Sequence, residues 1–262
     1  MEPIIGFFAL AYALAWGSMG ILSLIARQSG IDSAVTLMRM GETLQFGDAS
    51  LSAPRWLIYL LTRLADFAFS FSGVVVIAAR LGRAGLRELW GRLTRWRISW
   101  VWYAAGLLPI ALYAVAMLVA GAAGTADFSA SALYTALFSA SAGLFVSLFL
   151  RGAFGEELGL RGFALPHLQK RMSPFRASVI IAIFWAGWHL PVLIGRDTLS
   201  IVAFILLSFG LSFYFTWLFN GSGESLIPGL LFHATQNWEE GFETLFPGLV
   251  GTDWELVSTL AL

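Results

Sequence analysis

The sequence predicts an all-α fold, a polytopic transmembrane helical bundle of seven or eight spans. Composition is the first observation behind this. Of 262 residues, 58% are hydrophobic and 12% charged, and mean hydropathy is +0.77, whereas a soluble domain carries roughly 25% charged residues. The apolar runs are also long and continuous, unlike the alternating segments of about 10 residues that build a β-barrel. Length is the third. At about 20 residues per span plus connections, the chain holds seven or eight helices and little else. Residues 1–262 therefore read as a single integral membrane domain whose chemistry sits among the helices.

The runs follow in order. Pro3–Ala26 is the first span. The residues before it lack the basic n-region of a secretory signal, and the run is too long for one, so it reads as a span and not as a cleaved leader. Trp56–Ala79, Trp100–Ala122, Ala132–Phe154, Ala177–Ile194, Leu199–Phe219 and Leu226 to about Trp238 follow as further spans. An eighth, Leu245–Leu262, is interrupted by Pro247, Gly248, Gly251, Asp253 and Glu255. Trp16, Trp56, Trp96, Trp100 and Trp102 lie near run ends, as an aromatic belt requires. Within Leu81–Trp96, the residues Leu86, Leu89, Trp90, Leu93 and Trp96 recur at helical spacing with Arg between them. That pattern predicts an interfacial helix with its stripe in lipid and its Arg at the headgroups. The basic connections after the second and fourth spans put that side in the cytoplasm.

Charge and cysteine content narrow the function classes. Sixteen basic residues balance sixteen acidic ones, so no net charge points to nucleic acid. With no Cys, structural disulfides, thiolate zinc sites and a cysteine nucleophile are excluded.

Ionisable side chains inside membrane helices are costly, roughly 2.5–3.5 kcal/mol each on insertion scales, and so mark function by default. Three clusters qualify: Glu156-Glu157 with Arg161, His189 in Trp185–Pro191, and His233 with Asn237. Glu157 and Arg161 are i,i+4 with the acid first, which predicts a structural ion pair. Glu156 sits about 100° around the helix, is less easily neutralised, and suits a general base. His233 and Asn237 share one helix face, where they can hold one oxygen between them, supply metal ligands, or tie helices together. Pro191 is expected to bend the helix that carries His189. Arg63 and Asp66, i,i+3, are read as pairing with each other, and His167 as lying in the basic connector.

Glu-Glu-x-x-x-Arg, then an aromatic residue four before His, then His-x-x-x-Asn, in that order on successive apolar segments, resembles the CPBP intramembrane protease family. This family is also called the Abi or CAAX-protease family. The resemblance spans about Leu150–Trp238, and the strings Gly155–Phe163 and Trp188–Pro191 are similar to those of its bacterial members. One position departs: where the family often has Phe, this chain has Trp185, with Phe184 just before it. That ring is expected to pack, with little consequence.

The resemblance implies an intramembrane endopeptidase whose polar chamber opens to the cytosol, in a multi-pass protein of the bacterial inner membrane. Glu156 would activate water with His189 assisting, His233 and Asn237 would stabilise the oxyanion, and Glu157 and Arg161 would shape the site. The partners implied are a peptide or protein substrate and the lipid bilayer. The sequence carries no signal for oligomeric state. On cofactors, chemistry that needs none is favoured, with zinc held by Glu156, His189 and His233 as the alternative. Two other classes compete: a catalytically inactive scaffold or immunity protein, and a proton-coupled transporter. The inverted repeat and matched broken helices that point to transport are absent from the sequence.

Overall fold

The computed structural model describes residues 2–44, 46–47, 50–122, 144–150 and 152–237. Every regular element among them is helical. In chain order these are α1 (Glu2–Gln28), α2 (Ala34–Thr43), α3 (Arg55–Asp66), α4 (Ala68–Leu93), α5 (Trp100–Gly106) and α6 (Leu108–Ala122). Then come α7 (Gly152–Gly159), a π-helical turn (Leu160–Ala164), α8 (Leu165–Gln169), α9 (Pro174–Trp188), α10 (Leu190–Leu193), α11 (Thr198–Gly221) and α12 (Ile227–Gln236).

Among the described residues, three helices are long and apolar enough to cross a membrane: α1, α4 and α11. Several of the other expected spans consist, among the described residues, of shorter helices. The eighth run and most of Ala132–Phe154 lie outside the described residues. Large side chains such as Leu118, Leu199 and Leu206 are exposed on the outside, as lipid-facing positions are.

Prolines explain several of the breaks. Trp100–Ala122, continuous by hydropathy, is interrupted at Leu107. Pro109 cannot donate to the carbonyl of Ala105 one turn earlier; Tyr214 Oη donates to it instead, at 2.9 Å. Pro166 likewise has no N–H for the carbonyl of Gly162. The chain widens there into the π-helical turn, with Leu165 N–H donating to Leu160 O, and Arg92 Nη1 donates to the freed Gly162 carbonyl at 2.9 Å. Pro191 lies beyond the end of α9, where the Trp188 carbonyl is taken by Trp16 Nε1 at 3.2 Å. Breaks at membrane depth survive when side chains satisfy the released groups. The run Trp56–Ala79 is broken too, at Phe67, without a proline.

The amphipathic segment after the second run begins at a kink in α4, at Gly82, whose φ of 58° suits glycine. Its stripe divides differently from the sequence expectation. Leu86, Leu89 and Leu93 pack into the protein core, while Trp90 and Trp96 are exposed. Arg92 is buried and not at the headgroups: it meets Glu88, Glu224 and the Gly162 carbonyl.

One core cluster joins α1, α4 and the segment from α7 to α12 through Phe7, Phe69, Phe163, Ile181, Trp185 and Phe215. A second joins the C-terminal half of α1 to α2 and α3. α7 passes so close to the α3–α4 junction that a side chain on Gly155 would strike the backbone of Asp66, and one on Gly159 that of Phe69. Small residues four apart permit such close crossings. This approach fixes the depth of Glu156 and Glu157 in the bundle.

Candidate active site

The three polar clusters arrive on α7 with the π-helical turn, on the end of α9, and on α12. All five ionisable members are buried: Glu156 is 3% exposed, Glu157 0%, Arg161 1%, His189 5% and His233 2%. The expected pair forms, with Arg161 Nη1 2.8 Å from Glu157 Oε1. That oxygen is shared, because His233 Nδ1 also lies 2.9 Å from it. Arg161 further sits over the Phe215 ring at 4.1 Å, where the ring face favours a cation. The π-helical turn carries Arg161 at its second residue. π-bulges are frequent at functional sites.

Glu156 has a different surround. Its Oε2 accepts from the indole Nε1–H of Trp185 at 2.5 Å. Its Oε1 lies 3.9 Å from His233 Nε2, too far for a direct hydrogen bond. What lies between is informative. A methyl carbon placed on Gly152 would stand 2.7 Å from His233 Nε2, 2.9 Å from Glu156 Oε1 and 3.2 Å from Asn237 Nδ2. That carbon would be one bond from Gly152 Cα, so the distances show how closely the three polar atoms crowd the bare flank of the glycine. A carboxylate oxygen, a ring nitrogen and an amide donor thus converge where Gly152 has no side chain. The i,i+4 spacing of His233 and Asn237 on α12 brings both there.

His189 closes α9 at the break before α10. Its Nδ1 lies 2.9 Å from the Trp185 carbonyl, and its ring meets Trp185, Trp188 and Phe204 edge to face. Its link to the acids runs through Trp185. Among the described residues, no three His, Asp or Glu side chains form a group able to hold a metal ion.

Two residues of this site escape a reading of the sequence. Trp185 is expected there only to pack, yet it donates to Glu156; its place four before His189 is the available signal. Gly152 lies one helical turn before Glu156, and that spacing is its signal. Arg63 and Asp66 pair at 2.8 Å, as expected. His167 Nδ1 lies 2.7 Å from the Phe163 carbonyl at the end of the π-helical turn.

Comparison with known proteins follows the same boundaries. The family model for type II CAAX prenyl endopeptidase Rce1-like proteins matches residues 138–238. A curated relative named CAAX prenyl protease 2, from Methanococcus maripaludis, is 34% identical over 100 residues, which cover 34% of this chain and 37% of the relative. The chain thus spans little more than a third of the length of that relative. Over this stretch the resemblance to the CPBP family read from the three motifs is borne out. Together with the apolar helices, it makes the chain an integral membrane protein.

Proposed function

We propose that the chain is an intramembrane endopeptidase that hydrolyses peptide bonds of membrane-associated substrates, with residues 150–238 as its catalytic core. The observation that carries this is the convergence of Glu156 Oε1, His233 Nε2 and Asn237 Nδ2 on the bare flank of Gly152. A water held in front of Glu156 Oε1 passes it a proton as the water oxygen attacks the substrate carbonyl. The oxygen of that carbonyl then becomes an oxyanion. Asn237 Nδ2–H donates to it, as does His233 Nε2–H in the doubly protonated ring, and such donors are worth about 3–4 kcal/mol each in the transition state. The C–N bond breaks as the proton held by Glu156 passes to the leaving amine, and the acyl product keeps the water oxygen. Glu157 and Arg161 orient His233 from behind, and His189 assists through Trp185. None of these steps needs a metal ion.

The relative's name makes a prenylated CAAX-type peptide the first substrate to try. The scaffold and transporter readings draw no support from the match. The test is cleavage by the full chain, purified in detergent, of a fluorescence-quenched farnesylated CAAX peptide and of an unprenylated quenched library. Glu156→Gln should abolish turnover with thermal stability close to wild type. Turnover above about a tenth of wild type in that variant would remove Glu156 from the role of base, since general-base catalysis contributes at least about 10²-fold.

A further inference from the structure

Trp185 occupies a position from which one side chain reaches both halves of the site. Its edge donates from Nε1 to Glu156 Oε2 at 2.5 Å, and its face lies 5.3 Å from the Arg161 guanidinium. Its own carbonyl holds His189 Nδ1 at 2.9 Å. It is 4% exposed and packs edge to face against Phe215, so the indole has little freedom to turn. The neighbouring Phe184 points elsewhere, stacked on Phe8 of α1 with ring centroids 3.9 Å apart. Trp185 alone of the two therefore answers to the motif's aromatic position, and it differs from the phenylalanine often found there by carrying a donor.

A carboxylate on one side-chain stem can rotate about its last bond, which exchanges its two oxygens. A buried donor on Oε2 stops that exchange, because turning would strip a charge-assisted hydrogen bond from a buried carboxylate. Oε1 is then the oxygen left facing the bare flank of Gly152. A cation over the indole face also draws electron density from the ring and sharpens the N–H as a donor.

We propose that Trp185 is a positioning residue whose indole N–H anchors Glu156 Oε2 and so aims Oε1 at the water site. This rests on the reading of Glu156 as the base, and the experiment separates the two. The full chain is labelled with indole-15N tryptophan, and the Trp185 N–H resonance is assigned by its loss in Trp185→Phe. It should lie downfield, as a bond to a carboxylate requires, and move upfield in Glu156→Gln, where the acceptor is neutral. A resonance that stays put in Glu156→Gln overturns the anchor. This readout needs no turnover.

The second arm replaces Trp185 with 3-benzothienylalanine, a ring of the same shape with sulfur in place of N–H. With the quenched peptide as probe, kcat should fall by roughly 10- to 100-fold, the scale expected when a reacting group is displaced. KM and melting temperature should hold. Unchanged kcat overturns the proposal. Wild-type turnover in Glu156→Gln, by contrast, would overturn the reading of the base and leave the resonance to decide the bond.

Discussion

His233 Nδ1 lies 2.9 Å from Glu157 Oε1, an oxygen that Arg161 Nη1 also reaches at 2.8 Å. Glu157 therefore does more than neutralise a guanidinium. By holding one ring nitrogen it sets the rotation of His233 and turns Nε2 toward the bare flank of Gly152, the usual way a second hydrogen bond assigns the working nitrogen of a histidine.

Arg161→Ala should therefore lower both stability and activity, unlike Glu156→Gln. Both partners of the ion pair are buried. Leaving Glu157 buried with only His233 and without its guanidinium costs up to about 3–5 kcal/mol, read as a drop in melting temperature. Unchanged melting would mean that the pair contributes nothing to folding.

His233→Ala separates the oxyanion role from a metal role. With His233 as a donor to the transition state, kcat should fall roughly 10²–10³-fold with KM little changed, and chelators should leave wild-type turnover intact. One tightly held zinc per chain by elemental analysis, with activity lost in proportion to its removal, would overturn this.

Arg92 bears on the same site from outside it. Arg92→Ala leaves the Gly162 carbonyl buried without its donor, at a cost of about 1–3 kcal/mol. The loss should appear as faster amide exchange over Leu160–Ala164. Protection equal to wild type would show that the π-helical turn holds itself.

His167, in the basic connector outside the spanning segments, gives a pH dependence. Burial pushes its imidazole below its ordinary value, against a smaller opposing effect from the Phe163 carbonyl. The folded state thus prefers the neutral ring. This stability is whole above about pH 6.5, the unfolded value, and is lost as pH falls through the lower folded value. His167→Gln should melt with a flatter slope between about pH 7 and 5. An identical slope would remove His167 as its source.

Much of this is legible in the chain. The charged residues inside apolar runs stand out as a set, because burying a charge is too costly to be incidental. The i,i+4 pairs Glu157–Arg161 and His233–Asn237 follow from helical spacing alone. What hydropathy does not convey is continuity. The run containing Pro109 is apolar throughout, yet it breaks at Leu107, because a missing N–H leaves no mark on a hydropathy average. Arg92 misleads for a related reason: beside Leu93 and near Trp90 it looks like a headgroup contact, and one of its partners, the Gly162 carbonyl, is free because Pro166 has no N–H to donate to it. Trp185 reads as packing because an aromatic residue in an apolar run carries no trace of where its N–H points.

The bare flank of Gly152 has a consequence for how the site fails. Mutational surveys usually replace side chains with alanine and read what is lost by truncation. At this position alanine is an enlargement, and its single methyl carbon would crowd Glu156 Oε1, His233 Nε2 and Asn237 Nδ2 together. Gly152→Ala presses its methyl directly on the base and on both donors, so those side chains must give way to admit it. Activity should fall because the base and its neighbours are displaced, a loss that comes from adding one carbon and not from removing any catalytic group.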